Sequence, residues 1–126
     1  MVTSISYDFC KIDIYQEYIA VTMFEGINLT PEHNSVLLSI SKKYFKDRSF
    51  GYITCRKYSY SVNPRIYIET SKIKNLAAFA IVSSKDIDKS NAEVEKLFFK
   101  KPFMHFTEIE EAIVWIKKEV SRYNQS

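Results

Sequence analysis

The chain has 126 residues, of which 46% are hydrophobic and 26% are charged. This length predicts one globular domain spanning residues 1–126, because a chain of this size buries one core and is too short for two. Its net charge of +3 is too small to produce the broad positive field that attracts phosphate backbones, so nucleic acid is not an expected partner.

The sequence shows no targeting or membrane segment. No apolar run approaches the roughly 20 residues that cross a bilayer, and the first residues lack the basic and apolar regions of a secretion signal. We therefore expect a cytoplasmic protein without a transmembrane segment. Cys10 and Cys55 each lie in an apolar, strand-like run, which predicts small buried side chains and not a disulfide.

The first half of the chain is predicted to contain three strands and one helix. The alternation of apolar residues changes parity near Cys10, which predicts a bulge in the first strand. A cap at Thr30 followed by Pro31 marks the start of the helix. The predicted elements are a strand over residues 5–14, a strand over 18–24 that pairs with it as an antiparallel hairpin, a helix from Thr30 to Tyr44 and a strand over 50–55.

The second half is predicted to alternate between helices and strands. The segment from Pro64 to about Lys74 fits a helix, although part of it also has the composition of a strand. Two capping boxes, Ser90–Glu93 and Thr107–Glu110, predict the starts of the last two helices. The predicted elements are a helix over 64–74, a doubly covered strand over 76–82, a helix from Ser90 with Val94, Leu97 and Phe98 on its inner face, a strand over 103–106 and a C-terminal helix from Thr107.

The predicted order of elements is β-β-α-β-α-β-α-β-α. Strands that alternate with helices after an opening hairpin form a mixed sheet with a parallel body. The sequence therefore predicts an α/β fold with a mixed, mostly parallel five-stranded sheet covered by helices.

No set of residues has the spacing of an active site or a metal centre. Gly26 and Gly51 are isolated and belong to no phosphate-binding loop. His33 and His105 lie in separate predicted elements, and the carboxylates gather in first helical turns, where they stabilise the helix dipole. We predict a protein that is not an enzyme, with no catalytic residues, no metal site and no cofactor.

The segment after the strand at 50–55 is the candidate binding loop. It is polar, aromatic and cationic, and it follows a parallel strand, where ligands of α/β proteins gather. Ser59 and Ser61 are candidate phosphorylation sites. A capped, well-packed turn without a binding role explains the same residues. The candidate contact residues are Arg56, Lys57, Tyr58, Ser59, Tyr60, Ser61 and Asn63.

The chain resembles a known family over nearly its whole length. The resemblance rests on the order of elements and on two stretches, residues 98–103 (Phe-Phe-Lys-Lys-Pro-Phe) and residues 106–116 (Phe-Thr-Glu-Ile-Glu-Glu-Ala-Ile-Val-Trp-Ile). The chain resembles the SpoIIAA-like proteins, a largely uncharacterised bacterial family with the STAS and SEC14-like fold. This resemblance implies a STAS-like domain over residues 1–126.

The resemblance also implies two candidate functions. STAS domains imply a non-catalytic regulatory or protein-binding module, and SEC14-like domains imply a carrier or sensor of a small apolar, lipid-like ligand. In the phosphoregulated STAS proteins the helix after the third strand begins with an Asp-Ser-Ser/Thr-Gly-type sequence. Residues 58–64 have no Asp before the serines and no Gly after them, so that switch does not transfer. A homodimer through an exposed sheet edge or helix face is a further candidate.

Overall fold

The structure is a computed structural model that describes residues 2–58 and 60–125. In these residues a six-stranded sheet lies beside a two-stranded ribbon, β4 with β6. The strands are β1 (Thr3–Ser6), β2 (Cys10–Ile14), β3 (Tyr18–Met23), β4 (Asn28–Leu29), β5 (Phe50–Cys55), β6 (Ser61–Val62), β7 (Leu76–Val82) and β8 (Phe103–Phe106). The helices are α1 (Asn34–Ile40), α2 (Arg65–Thr70), α3 (Asp86–Glu95) and α4 (Ile109–Asn124), with 3₁₀ turns at Pro31–His33 and Lys96–Phe98 and a π turn at Ser41–Phe45.

The large sheet has the strand order β1-β2-β3-β5-β7-β8. The first three strands pair antiparallel, and β3, β5, β7 and β8 pair parallel. This confirms the predicted α/β class with a mixed, mostly parallel sheet. The sheet has six strands where the sequence predicted five.

The additional strand comes from the segment predicted as one bulged strand over residues 5–14. The chain reverses at residues 7–9, where the Tyr7 backbone N–H donates to the Cys10 carbonyl at 2.8 Å. β1 and β2 then pair side by side, with Ile5 opposite Ile12. The change of parity near Cys10 is therefore a turn between two strands, because a reversal resets which residues face the core.

The two faces of the sheet are covered unequally. Helices α1, α2 and α3 pack on one face, over an aromatic layer in which the Phe79 ring stacks on Tyr52 at 4.4 Å and on Phe103 at 5.2 Å. Helix α4 alone packs on the other face, against small residues that include Ala78 and Ala80. Because these side chains are short, α4 approaches the sheet closely, whereas the aromatic rings fill the wider space opposite.

Strand β7 is buried along its length and lies between β5 and β8, as its continuous apolar run predicts. The C-terminal helix is also confirmed, with Ala112, Ile116 and Val120 buried on its inner face. It begins at Ile109 with Glu108 as its N-cap and no side-chain cap hydrogen bond, so the cap predicted at Thr107 was wrong by one residue. The helix predicted over 64–74 is confirmed as a shorter helix, which ends at Thr70.

The prediction for α3 was wrong in its start and in two of its three inner residues, whereas the third, Phe98, is half-buried and packs against the core as predicted. The helix begins at Asp86 and not at Ser90, after the Ser83 hydroxyl accepts a hydrogen bond from the Lys85 backbone N–H at 3.1 Å. Its buried residues are Ala92 and Glu95. The predicted inner residues Val94 and Leu97 are exposed, because Glu95 takes the inner face of the helix. No helix among the described residues has the length and apolarity to cross a membrane.

Helix α4 packs tightly against the sheet at Gly51. A Cβ atom at this position would lie 2.2 Å from Ile116 Cγ1. We expect Gly51→Ala to lower the free energy of unfolding by about 2–3 kcal/mol, since overpacking of a filled core is costly. Urea denaturation checks this value. In an Ile116→Ala background the same substitution should cost less than about 1 kcal/mol, and an equal cost in both backgrounds would contradict the assignment to this contact.

Cys10 is a free, buried thiol, and burial raises its pKa to about 12. A raised pKa in the folded state means that the contribution to stability is complete below pH 9, the region of the unfolded pKa, and is lost as the pH rises toward 12. Between pH 8 and about pH 10.5 we expect Cys10 to account for about 2 kcal/mol of lost unfolding free energy. Cys10→Ala should show a correspondingly flatter pH profile. Equal slopes for the two proteins would show that this thiol is not the titrating group.

Candidate functional site

The candidate binding loop follows β5 at the carboxyl edge of the parallel strands. A short strand that the sequence did not predict, β6, pairs parallel with β4 and fixes the end of the loop. The Ser61 backbone N–H donates to the Ile27 carbonyl at 2.9 Å, and the Ser61 hydroxyl donates to Asn28 Oδ1 at 2.9 Å. The loop after β3 and the loop after β5 are thereby joined into one layer at this edge.

Arg56 opens the loop, but its side chain points into the protein and is only 6% exposed. Its Nη2 donates to both carboxylate oxygens of Glu95, at 2.8 and 2.9 Å, and to the Tyr67 hydroxyl at 3.1 Å. Its Nε donates to the Tyr60 hydroxyl at 3.2 Å. The guanidinium is therefore held by partners from the loop, α2 and α3, and it is not available to a ligand in this conformation.

The acidic side of this cluster comes from α3. Glu95 also accepts a hydrogen bond from the Tyr67 hydroxyl at 2.9 Å. Asp88, two turns earlier in the helix, places Oδ1 4.0 Å from Arg56 Nη1 and accepts a hydrogen bond from the Ser83 hydroxyl at 2.5 Å. We call Arg56, Tyr60, Tyr67, Asp88 and Glu95 the buried arginine network.

The network keeps its charges in a buried position. Burial alone would lower the pKa of Arg56, but Tyr60, Tyr67 and Glu95 stabilise the cation and raise its pKa above the ordinary value. Burial, followed by the charge of Glu95, raises the pKa of Tyr67 well above its ordinary value. The network thus combines a buried arginine with two carboxylates and two phenols, and Arg56 Nε and Nη2 both donate to acceptors within it.

The other predicted contact residues divide between the surface and the interior. Lys57, Tyr58 and Ser61 are exposed, whereas Tyr60 is half-buried in the network. Asn63 is half-buried and caps the approach to α2, because its Oδ1 accepts from the Arg65 backbone N–H at 3.1 Å. Ser59 lies outside the described residues.

The sequence did not single out Tyr67, Asp88 and Glu95 as partners of Arg56. Glu95 is 39 residues away from Arg56, and it was hidden beside a capping-box motif. The sequence offered one indirect indication. An arginine at the end of a strand needs a partner of opposite charge if it is buried, but the sequence does not say which carboxylate this partner is.

A small cavity lies between the sheet and helices α1 and α2. Its volume is about 40 Å³, which suits one or two water molecules, whereas pockets for drug-sized ligands occupy roughly 300–1,000 Å³. The cavity gives little support to a lipid-like ligand. Its lining includes Cys10, Val21, Met23, Leu37, Tyr52, Thr54, Ile66 and Phe79.

The histidines take no part in the cluster. His33 Nδ1 accepts a hydrogen bond from the Thr30 backbone N–H at 2.9 Å, and its ring packs on Phe9 at 4.4 Å. His105 lies in β8. Within residues 2–58 and 60–125, no three His, Cys, Asp or Glu side chains are grouped so as to hold a metal ion.

The buried ion pair predicts a specific loss of stability. Glu95→Gln keeps the size of the side chain but removes the carboxylate that pairs directly with Arg56, which leaves only the more distant Asp88, at 4.0 Å, opposite the buried charge. We therefore expect the free energy of unfolding to fall by about 3 kcal/mol. Glu93→Gln, an exposed carboxylate of the same helix, serves as the control and should cost less than about 0.5 kcal/mol. Urea denaturation of both variants compares them. Equal losses would mean that Glu95 is not neutralising a buried charge.

Comparison with known proteins relates this chain to a solved structure by its fold. No family model matches the chain, and no curated protein matches its sequence. The structure is similar to the crystal structure of an uncharacterised protein of the DUF3478 family with a SpoIIAA-like fold, from Shewanella loihica PV-4. The TM-score is 0.58 at 15% sequence identity, and the match covers 85% of this chain and 91% of that chain. At this identity the likeness is one of fold, and the chain has a SpoIIAA-like fold.

Proposed function

We propose that this chain is a non-catalytic, protein-binding module of the STAS type, which acts in the cytoplasm as one domain and contacts its partner through the carboxyl edge of its sheet. The observation that carries this proposal is an exposed aromatic and cationic pair, Tyr58 and Lys57, on a loop with both ends anchored. Tyrosine is enriched among the residues that dominate protein interfaces, because its ring buries a large area and its hydroxyl still forms a hydrogen bond.

The anchoring of the loop supports a binding role. Arg56 fixes the first end in the buried arginine network, and the pairing of β6 with β4 fixes the other end. A loop held in one conformation loses less entropy on association than a free loop. The exposed Phe24, at the end of neighbouring β3, lies at the same edge and extends the apolar part of this surface.

Phosphorylation of Ser59 or Ser61 remains part of the proposal as a means of regulation. Ser61 is exposed, and its hydroxyl donates to Asn28 Oδ1. A phosphate on Ser61 would remove this hydrogen bond and add negative charge near Lys57. Such a change would alter the contact surface without disturbing the buried network beneath it.

Site-specific photo-crosslinking in the native host tests the surface. A photoreactive phenylalanine analogue replaces Tyr58 in one protein and Leu38 in the control, since these side chains are similarly exposed, at 47% and 43%, and Leu38 lies on α1. We expect a discrete protein adduct from position 58 and none from position 38. With the adduct identified, Tyr58→Ala should weaken binding of that partner at least about tenfold, the range of interface anchors, while leaving thermal stability unchanged.

Two results would contradict the proposal. One is the same set of adducts from both positions, which would indicate random collisions. The other is full affinity of the Tyr58→Ala protein for the identified partner.

A further inference from the structure

Helix α3 presents its apolar side chains to solvent. Ile87, Val94 and Leu97 are 64%, 55% and 83% exposed, while the inner face of the helix carries Ala92 and the charged Glu95. Spacings of seven and three residues place the three apolar side chains on one side of the helix and its following turn. We call Ile87, Val94 and Leu97 the α3 stripe. An apolar row of this kind on a surface helix marks an interaction face.

A row of alternating charges flanks the α3 stripe. Asp86, Lys89, Glu93 and Lys96 are all exposed and follow one another at helical spacing. The ion pairs found within the described residues involve none of these four side chains. The flank faces the edge strand β8, because Lys89, Glu93 and Lys96 line a groove with the exposed Met104.

The charge order is self-complementary about Asn91. Lys89 and Glu93 lie two residues on either side of Asn91, and Asp86 and Lys96 lie five residues on either side. A two-fold axis that passes beside Asn91 and relates two antiparallel helices brings each of these residues opposite its counterpart in the other copy. Lysine then meets glutamate and aspartate meets lysine at every position. A parallel arrangement would instead place like charges together.

The apolar residues fit the same arrangement. Ile87 lies four residues before Asn91 and Val94 three residues after it, so the two stripes lie against each other in the antiparallel pair. Met104 of β8 lies beside the flank and adds apolar area at the margin of the contact.

We propose that two copies of this chain associate through antiparallel packing of their α3 helices, with the α3 stripe at the centre and the flanking charges paired across the two-fold axis. The occupant of the stripe is a second copy, because the charge pattern complements itself and a different partner would not require this symmetry. The contact is small, so the dimer is weak and forms at concentrations on the order of 100 μM. Its contact residues belong to α3, the turn after it and β8, and not to the carboxyl-edge loop, and the proposal does not depend on the function proposed for that loop.

Charge reversal tests this arrangement by sedimentation equilibrium of the full chain between about 5 and 500 μM, a range suited to a small interface. In Lys89→Glu alone and in Glu93→Lys alone, like charges face each other across the axis. We expect each single variant to raise the dimer dissociation constant at least about tenfold. An equimolar mixture of the two variants should dimerise as the unmodified protein does, since each lysine again meets a carboxylate. Lys117→Glu, an exposed site on α4, is the control and should change nothing.

The mixture separates this proposal from a general effect of charge. Each single variant carries a changed net charge and an altered helix, but only a direct contact between the α3 helices makes the mixture recover. A monomer at every concentration, or single variants that dimerise as well as the mixture, would overturn the proposal. Circular dichroism of each variant confirms that α3 and the rest of the fold are retained.

Discussion

The bidentate pair between Arg56 and Glu95 is the constraint on which the arrangement of this molecule depends. A guanidinium that leaves water loses several kcal/mol of solvation, and a carboxylate with good hydrogen-bond geometry offsets this cost. Glu95 faces Arg56 at the end of β5, the Tyr60 hydroxyl accepts from Arg56 Nε, and the Tyr67 hydroxyl accepts from Arg56 and donates to Glu95. The pair joins the second and third crossovers of the parallel sheet at the edge where the loops lie.

The same pair decides which side of α3 faces the sheet. Glu95 has to point inward, and only Ala92 adds a small buried apolar contact within the helix. Val94 lies about 100° around the helix from Glu95 and Leu97, in the turn that follows, about 200°. With Glu95 pointing inward, both are turned toward solvent. The helix is thus held by electrostatics and anchored further by Phe99 after it, and its apolar side chains are left unused by the fold. This is the origin of the exposed α3 stripe.

The elements predicted well from the sequence are those whose own residues decide their structure. Strand β7 is apolar at every position, and the apolar residues of α4 recur at helical spacing, so each pattern needs no knowledge of distant residues. The orientation of α3 could not be predicted in this way. Its apolar residues indicate the wrong face, because the inward face is selected by an arginine 39 residues earlier in the chain.

The candidate site shows the same limit. The loop that begins at Arg56 was chosen because it follows a parallel strand, and it does lie at the carboxyl edge of the sheet, after β5. The sequence could not divide the loop into the buried Arg56 and the exposed Tyr58, since the division depends on partners from α2 and α3. Nor could it reveal the β4–β6 ribbon, whose strands have two residues each and pair across 33 positions.

Both proposed surfaces depend on the buried arginine network, each through a different member of it. The network holds the start of the loop that presents Tyr58, and through Glu95 it turns the α3 stripe outward. An all-apolar pair in place of Arg56 and Glu95 could fill the same volume and satisfy the core. Without the buried charge, position 95 would no longer have to face the sheet. Ala92 buries too little apolar area to hold the helix in this rotation, because a rotation that buries Val94 and Leu97 would bury more. In this molecule the buried charge therefore specifies an orientation, and the exposed surfaces follow from it.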